Sequence, residues 1–387
     1  MSILYAQNEI DALRYSLFSN YNTAGISALG GAGGFLSHNY NPASLAFFQG
    51  NQLISISPGN TNKSIESNYL SNQYTAEKSV PFLQNAGYVA QLPKLNNSSE
   101  WSPVNIAFSI NRKQDFNREY IINGYNDESS MIGQFIDNSQ GTLPENLNTP
   151  EWLAWWTFLT DPINDIVGSD TTFTGAYSST AIIGQNQNQT ISEHGFINEF
   201  DIAFSRSYKN KLFLGASIGL TEIYFSQKSI YTENGFDKDS GIENFEYTQE
   251  RIQEGGGVNL KLGAIVKPIS FLRIGWAYHS KTHTELSDYF RRSMTTTSNA
   301  VGVRSEFWID EYDFTLSTPS KSISSIALIG NFNKIRMLAT FDFEIINYNS
   351  AQLSSNQSFT DIYYYDFSQE NSNIENYYKK ANNKKIG

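Results

Sequence analysis

Cysteine is absent from this chain of 387 residues. That absence excludes disulfide bonds, thiolate metal sites and a cysteine nucleophile. Charge is also scarce, because only 17% of the residues are charged against about 25% in an average soluble domain. Acidic residues outnumber basic ones by 38 to 27, and the resulting net charge of −11 argues against a nucleic-acid partner.

Long apolar runs are missing as well. No stretch approaches the roughly 18 apolar residues that a membrane-spanning helix needs, which excludes a helical membrane protein. A membrane β-barrel stays possible, because its strands alternate apolar and polar residues and are hydrophilic on average.

Histidine is rare, and its four positions offer no recognisable catalytic set. His38, His194, His279 and His283 do not combine with a serine or carboxylate in any known hydrolase pattern, so no enzyme activity is predicted. His279 and His283 lie four residues apart in an extended segment, where they should share a face. Two histidines and a carboxylate could bind zinc, but Lys281 between them favours solvated side chains. No metal and no cofactor is predicted.

Aromatic residues, by contrast, are abundant, at 26 Phe, 23 Tyr and 6 Trp. Apolar residues, aromatic ones included, recur at every second position in several segments, which is the pattern of strands with one apolar face. One clear case is 258–266, where Val258, Leu260, Leu262, Ala264 and Val266 make the apolar face. Nine strands are predicted on this basis, at about 52–57, 86–92, 104–111, 196–205, 212–221, 258–266, 272–279, 323–329 and 335–344, and a tenth is expected to start near Asn373.

Two kinds of connection separate these strands. Short turns follow some of them, while long polar loops are predicted to about residue 79 and at about 231–245 and 287–304. Residues 127–170 break the alternation with apolar residues at helical spacing, so one or two short amphipathic helices are expected there. Short turns at one end and long loops at the other are typical of membrane β-barrels. The predicted fold is therefore all-β, an antiparallel transmembrane β-barrel.

Residues 25–48 form a glycine-rich stretch that does not fit a phosphate-binding loop. No Lys-Ser or Lys-Thr follows the glycines and no apolar strand precedes them. Gly30, Gly31, Gly33 and Gly34 allow positive φ angles and close backbone approach. Asn41-Pro42-Ala43 then fixes a turn, because Pro42 locks its own φ and restricts Asn41. A flexible segment with a fixed end, ahead of a long array of strands, suits a plug better than a linker.

This stretch, with Ala12-Leu13-Arg14-Tyr15-Ser16 before it, resembles the N-terminal hatch of the FadL family of outer-membrane transport proteins. The segment 272–288 is similar to a strand and loop of that family, although Ser280-Lys281-Thr282 stands where the family usually has Thr-Pro-Thr. Thr318-Pro319, Phe341-Asp342-Phe343-Glu344 and Tyr348 resemble the segments that follow.

The resemblance implies a fourteen-stranded barrel with a hatch that plugs the lumen. Residues 1–7 are then expected to be a signal-peptide remnant, 8–50 the hatch, and 51–387 the barrel with an extracellular helical loop at 127–170. The C-terminal strands would be missing, so the sequence would be a fragment. The implied function is passive transport of long-chain fatty acids or other hydrophobic small molecules across the bacterial outer membrane. The alternative is a non-transporting barrel of this family that acts as a scaffold or shuttle for secreted proteins in a type IX-like secretion system.

Three groups of site residues follow from this interpretation. The partners would be a hydrophobic ligand and outer-membrane lipids, with a secreted protein under the alternative. Small inner positions such as Gly215, Ser217, Gly219 and Gly263 would leave space in the lumen. The hatch and gate would be Gly30, Gly31, Gly33, Gly34, Asn41, Pro42 and Ala43. Ligand capture on the outer loop would involve Met131, Ile132, Phe135, Trp152, Trp155, Trp156 and Phe158, unless that loop only packs on itself. A polar lumen lining would consist of Lys261, Arg273, Arg336, Asp342 and Glu344, serving either to grip the hatch or merely to pair charges.

Overall fold

The chain folds into one large antiparallel sheet with few helices. The computed structural model describes residues 9–17, 24–94, 100–167, 170–332, 335–356 and 365–386, so the predicted signal-peptide remnant at 1–7 lies outside them. Fourteen strands belong to the large sheet, while β5 and β6 form a separate hairpin. The strands are β1 (Gln52–Tyr69), β2 (Asn72–Gln91), β3 (Asn105–Asp115), β4 (Arg118–Asn126), β5 (Asp161–Val167), β6 (Asp170–Ser178), β7 (Gln185–Tyr208), β8 (Leu212–Asn234), β9 (Ile242–Ile269), β10 (Leu272–His279), β11 (His283–Ser298), β12 (Gly302–Ser317), β13 (Lys321–Phe332), β14 (Ile335–Asn347), β15 (Gln352–Ser355) and β16 (Lys380–Ile386).

Some of these strands are two halves of one pass of the chain across the sheet, here called a crossing. The large sheet has ten crossings, and their neighbours follow in the order β1-β2-β3-β7-β8-β9-β10-β13-β14-β16. β10 and β11 both pair with β9, so they are one crossing with a break at residues 280–282. The same holds for β3 and β4, which both pair with β7. It also holds for β12 and β13, which pair with β11 and β10, and for β14 and β15, which pair with β13 and β12. The tenth strand is β16 rather than a strand starting at Asn373, which lies within a helix.

The pairing does not close the sheet into a barrel. In the part of the chain that the structure describes, β1 pairs with β2 alone and β16 pairs with β14 alone. The predicted closed barrel is therefore not what these pairings show. A strand edge in lipid would leave backbone N–H and C=O groups unpaired, so closure in a membrane requires strand edges to meet.

The predicted long polar loops are wrong, because strands occupy most of those residues. β8 and β9 extend the sheet on both sides of a turn at 235–241, and β11 and β12 do so around 299–301. β1 and β2 likewise pair up to Tyr69 and Asn72. These extensions carry polar residues on both faces and so lack the alternation that marks a strand with one apolar face.

The two faces of the sheet differ sharply along its central strands. On the outer face, large apolar side chains stay exposed over consecutive strands, including Phe204 at 50%, Ile218 at 49% and Trp276 at 48%. The residues between them point inward and are buried, among them charged ones such as Asp201 and Lys261. Apolar side chains are thus outside and charges inside, the reverse of a soluble domain.

Five α-helices lie around or within the sheet in the described part of the chain. A 3-10 helix, Pro42–Phe47, carries the predicted Asn-Pro-Ala turn, and the Asn41 side chain caps it by accepting from the Ala43 N–H at 3.0 Å. Two shorter 3-10 turns lie at Pro144–Asn146 and Tyr348–Ser350. No helix among the described ranges is long and apolar enough to cross a membrane. The α-helices are α1 (Glu9–Ser16), α2 (Ala24–Ala28), α3 (Met131–Ser139), α4 (Thr149–Trp156) and α5 (Ser368–Tyr377).

Candidate functional site

Residues 30–48, here called the inner segment, pack on the buried face of the sheet. At one end, a Cβ added to Gly30 would lie 2.3 Å from the carbonyl oxygen of Ile386 in β16. At the other end, the Asn105 side chain in β3 donates to the carbonyl oxygen of Leu45 at 2.8 Å. The sheet must therefore curve around the inner segment, since one short stretch of chain touches strands so far apart in the sheet order.

Glycines in two central strands make room for the Asn-Pro-Ala turn. A Cβ on Gly215 would lie 2.3 Å from the Pro42 carbonyl carbon, and one on Gly263 would lie 2.0 Å from Asn41 Oδ1. Any larger residue would collide with the inner segment there. Gly215 and Gly263, predicted to leave space in the lumen, are instead covered by the inner segment.

Side chains and backbone groups hold the inner segment along its length. Gly34 N–H donates to Asp342 Oδ2 at 2.9 Å, and Asn41 Nδ2 donates to the Trp276 carbonyl at 3.3 Å. Nε2 of His279 lies 2.9 Å from the Tyr40 carbonyl oxygen, as expected of a donor, and Nε2 of His38 lies 3.0 Å from the Ser109 hydroxyl. Each such bond contributes about 1 kcal/mol net, and the bond to a carboxylate somewhat more.

Positive φ angles mark where the inner segment begins. Gly30 and Gly31 have φ values of 57° and 85°, which only glycine adopts at little cost. Gly33 packs on the Tyr40 ring, and Gly34 packs on Ser325. Gly30, Gly33 and Gly34 are thus built into close contacts, and Gly31 has a backbone angle that favours glycine.

A compact network of charges lies on the inner face of β3, β7 and β9. Lys261 Nζ is 2.5 Å from Asp201 Oδ1 and 2.6 Å from Glu199 Oε1, and Lys113 Nζ is 2.5 Å from the same Glu199 oxygen. Two ammonium groups therefore share one carboxylate oxygen. Burying such groups is costly unless each is paired.

His38 of the inner segment faces this network. Burial lowers its pKa to about 4, and the positive charges of Lys261 and Lys113 act in the same direction. His38 is therefore neutral at pH 7 and adds no charge to the inner face.

A cavity of about 500 Å³ lies between the inner segment and the sheet. Its walls are strongly polar and include side chains from strands far apart in sequence. On one side are Lys113, Glu199 and Lys261, and on the other are Lys321 and Glu344. Lys321 Nζ lies 3.3 Å from Glu344 Oε2.

Helix α1 packs inside the sheet and is held there by a buried ion cluster. Arg251 Nη2 lies 2.7 Å from Asp11 Oδ2 of α1 and 2.5 Å from Asp288 Oδ2 of β11. The Tyr15 hydroxyl donates to Gln253 Oε1 at 2.5 Å, and burial raises the pKa of Tyr15. Ala12 and Tyr15 join an apolar cluster that also includes residues of α5 and several strands, namely Phe116, Ile197, Ile223, Phe225, Leu286, Tyr312, Phe314, Leu316, Ala351, Leu353, Phe367 and Ile374.

The insertion between β4 and β7 has its own apolar cluster. Ile132 and Phe135 of α3 are 3% and 4% exposed and pack with Leu153 of α4 and Tyr247 of β9. These two predicted capture residues are thus core residues of the insertion, and Met131 packs against them. Helical spacing placed them on the inward face of α3, where they pack in one cluster with residues of β8 and β9.

The predicted tryptophans instead form an aromatic surface together with a residue of β12. The Trp152 and Trp156 rings stack at 5.4 Å, and Trp308 meets Trp152 edge-on at 5.6 Å. Trp155 touches Trp156 at 5.7 Å, and Phe158 is 42% exposed. This aromatic surface, defined by Trp152, Trp155, Trp156, Phe158 and Trp308, lies at the end of the sheet that carries the turns at 235–241 and 299–301.

The residues predicted to form a polar lumen lining do not all lie together in the structure. Lys261, Asp342 and Glu344 are buried on the inner face, and Asp342 and Glu344 contact the inner segment or line the cavity. Arg273 lies apart from them, with its guanidinium carbon 5.6 Å from the centre of the Phe47 ring. The side chain of Arg336 lies outside the described part of the structure.

His279 and His283 do not share a face, contrary to the prediction. His279 is buried and contacts Tyr40, whereas His283 is exposed and bonds the Ser317 hydroxyl at 2.9 Å. The break at 280–282 separates β10 from β11 and shifts the alternation by one residue. Within the described ranges, no group of three or more His, Asp or Glu side chains could hold a metal ion.

Several residues of these networks were not predicted. Glu199 and Asp201 alternate with Phe200, which is exposed, and Ile202, which is half-buried. The available signal was therefore a charged residue on the face opposite the apolar one. Lys113 and Arg251 carried no such signal, since each lies in a polar stretch and meets partners distant in sequence.

This chain is similar in structure to a protein of known function. A solved structure, the crystal structure of the P. putida toluene transporter TodX, is similar at 14% sequence identity, covering 86% of this chain and 72% of that chain, with a TM-score of 0.40. No model of a known family matches the chain, and no curated protein matches it either. A likeness this distant carries no argument about ligand or mechanism.

Proposed function

We propose that this chain is a transport protein of the bacterial outer membrane and that its sheet lies in the lipid. The exposed apolar band on the outer face carries this proposal, because so large an apolar surface on consecutive strands needs a covering phase. In β9 the band runs from Val258 to Val266, nine residues, and a tilted membrane strand needs about 9–11. Lipid contact on one face and polar groups on the other is the pattern of transmembrane barrels.

In this proposal the strand edges meet to close a barrel and the inner segment is the hatch in its lumen. The glycine contacts at Gly215 and Gly263 and the bonds to Asp342 and Trp276 support a segment that rests stably within the sheet. Transport then requires the inner segment to shift, since it fills the curve of the sheet. No energy source is implied, so the transport is passive.

The substrates we propose are hydrophobic small molecules, with long-chain fatty acids as the leading candidates. The aromatic surface supports first capture, because exposed indole rings bury apolar ligands and leave polar edges for water. Replacing Trp155 and Trp156 together by Ala should reduce uptake in cells while the protein still folds. Unchanged uptake with an intact fold would contradict capture at this surface.

An engineered disulfide between the inner segment and the sheet tests the hatch directly. Because the chain has no native cysteine, the two introduced cysteines have no other thiol of the chain to pair with. A Cβ at Gly34 would lie 2.9 Å from the Ser325 Cβ, so the two backbones must separate by about 0.9 Å to reach the ~3.8 Å of a disulfide. We expect Gly34→Cys with Ser325→Cys to stop transport under oxidising conditions and to recover it on reduction. Each single cysteine variant is the control, and full transport by the oxidised pair would refute gating by the inner segment.

A scaffold for secreted proteins is the second candidate, favoured by how fully the interior is packed. Helices α1 and α5 contribute residues to the apolar cluster inside the sheet, so they occupy space that an apolar substrate would need to pass. A scaffold needs no such route, and the insertion at 127–184 offers surface to a protein partner. Mass spectrometry of what co-purifies in mild detergent separates the two: a near-stoichiometric lipophilic compound supports transport, and a large secreted polypeptide supports the scaffold.

A further inference from the structure

We propose that the cavity between the inner segment and the sheet is a binding site for a small hydrophilic anion that carries two or more carboxylate or phosphate groups. This site is separate from the aromatic surface and has the opposite chemistry. It does not depend on the proposed transport of hydrophobic molecules.

The charges of the cavity wall are the first argument. Six basic residues line it, whereas two carboxylates, Glu199 and Glu344, do so. Two more carboxylates, Asp201 and Asp342, lie behind the wall in contact with Lys261 and Gly34. Positive charge remains in excess even when those two are included. The six basic residues are Arg112, Lys113, Lys261, Lys321, Lys384 and Lys385.

The ammonium groups are also incompletely neutralised by the protein. Lys113 shares its carboxylate oxygen on Glu199 with Lys261. Lys321 reaches Glu344 at 3.3 Å, longer than a tight charged hydrogen bond. Lys385 has no carboxylate within ion-pair distance in the described part of the chain, and its Nζ lies 5.0 Å from the centre of the Tyr40 ring. Lys321 Nζ approaches the same ring at 5.9 Å, so two positive charges converge on Tyr40.

Amide side chains supply further hydrogen-bonding capacity. Asn39, Asn85, Asn111, Asn259 and Asn383 all line the cavity. Asn259 is 6% exposed, and its Oδ1 atom is buried without a hydrogen-bond partner. A hydroxyl of a hydroxy acid or sugar phosphate could donate to that oxygen.

The size of the cavity and the predominance of polar and charged groups in its walls decide the chemical class. A volume of about 500 Å³ is within the usual range for small-molecule sites. An alkyl chain placed here would lie against lysines and amides and would strip them of water without replacing their bonds. A hydrophilic polyanion replaces that water with charge-assisted hydrogen bonds.

The test is calorimetric titration of the full chain, reconstituted in lipid discs, with citrate, inorganic phosphate, decanoate and uncharged sorbitol. We expect citrate to bind most tightly, phosphate more weakly, and sorbitol not at all. Citrate affinity should fall steeply with added salt, as expected for a site that pairs several charges. Binding of sorbitol equal to that of citrate, or tighter binding of decanoate, would overturn the proposal.

Substituting lysines in the cavity and lysines away from it tests where in the molecule citrate binds. Lys321→Gln with Lys385→Gln should weaken citrate binding at least tenfold, since each removes a charged partner at the less neutralised side of the cavity. Lys209→Gln and Lys228→Gln are the matched controls, because those lysines are half exposed and lie away from the cavity. Equal affinity in the cavity variant and in the controls would place any anion binding elsewhere and refute the site. Uptake of hydrophobic compounds is measured separately and can fail without affecting this result.

Discussion

Asn41 Oδ1 and the Cα of Gly263 are in such close contact that a Cβ on residue 263 would lie 2.0 Å from that oxygen. The same side chain caps the Pro42–Phe47 turn and reaches the Trp276 carbonyl. One asparagine thus orders the turn and anchors it to β9 and β10.

Substituting the contact glycines should therefore loosen the inner segment. Gly263→Ala and Gly215→Ala force backbone or cap atoms apart, with an expected cost of about 1–3 kcal/mol. The measurement is the thermal unfolding midpoint together with protease cutting within residues 30–48. Gly330→Ala is the control, because no heavy atom lies within 4 Å of its added Cβ. Equal loosening by Gly330→Ala would show that the close contacts are not responsible.

Arg251 should be essential for holding α1. Arg251→Met leaves Asp288 buried without its cation and leaves Asp11 with Arg14 alone, at an expected cost of about 3–5 kcal/mol. Arg291→Met removes only an exposed pair with Glu250 and should cost about 0–1 kcal/mol. Urea unfolding gives the stability change, and proteolysis of α1 reports its release. Adding Asp11→Asn to Arg251→Met should recover part of the loss, and no recovery would argue against the charge explanation.

Burial separates two aromatic residues that the sequence alone places in one class. Phe135→Ala should destabilise the insertion by about 3–5 kcal/mol, because Phe135 is 4% exposed within its apolar cluster. Replacing Trp156, which is 49% exposed, by Ala should lower the stability of the insertion by less than about 1 kcal/mol. Proteolysis of the 127–184 segment, followed against temperature, distinguishes them. Similar losses for both would mean that the aromatic surface is itself structural.

The buried His38 should make the inner segment sensitive to acid. Its folded pKa of about 4 is below the ordinary 6.5, so the unfolded chain takes up a proton more readily as the pH falls. The stability contribution of neutral His38 is therefore complete above about pH 6.5 and is lost as the pH falls toward 4. His38→Gln keeps a partner for Ser109 without titrating. Protease release of residues 30–48 between pH 7 and 4 should depend on pH less in this variant than in the native chain, and identical profiles would contradict the prediction.

The central strands could be predicted from the sequence because their physics is local. The period-2 alternation in 258–266 and 272–279 arises because one face of each strand lies against apolar surroundings. In the structure β9 and β10 contain those residues. The polar extensions of β8, β9, β11 and β12 could not be predicted in that way. Polar residues occur on both of their faces and interrupt the alternation, although Tyr231, Phe245 and Met294 pack inward against the insertion. Cross-strand pairing and this long-range packing keep the extensions in the sheet.

The sequence by itself determined the antiparallel all-β class, the Asn-Pro-Ala turn and the inward direction of Lys261, Asp342 and Glu344, since each depends on neighbours a few residues away. Only the tertiary structure decided which charges meet. Lys113, Glu199 and Lys261 are brought together by strand order, and the break at 280–282 sends His279 inward and His283 outward. The cavity, the ion cluster at Arg251 and the cover over Gly215 and Gly263 arise from long-range packing, because contacts between residues tens or hundreds of positions apart leave no local pattern in the chain.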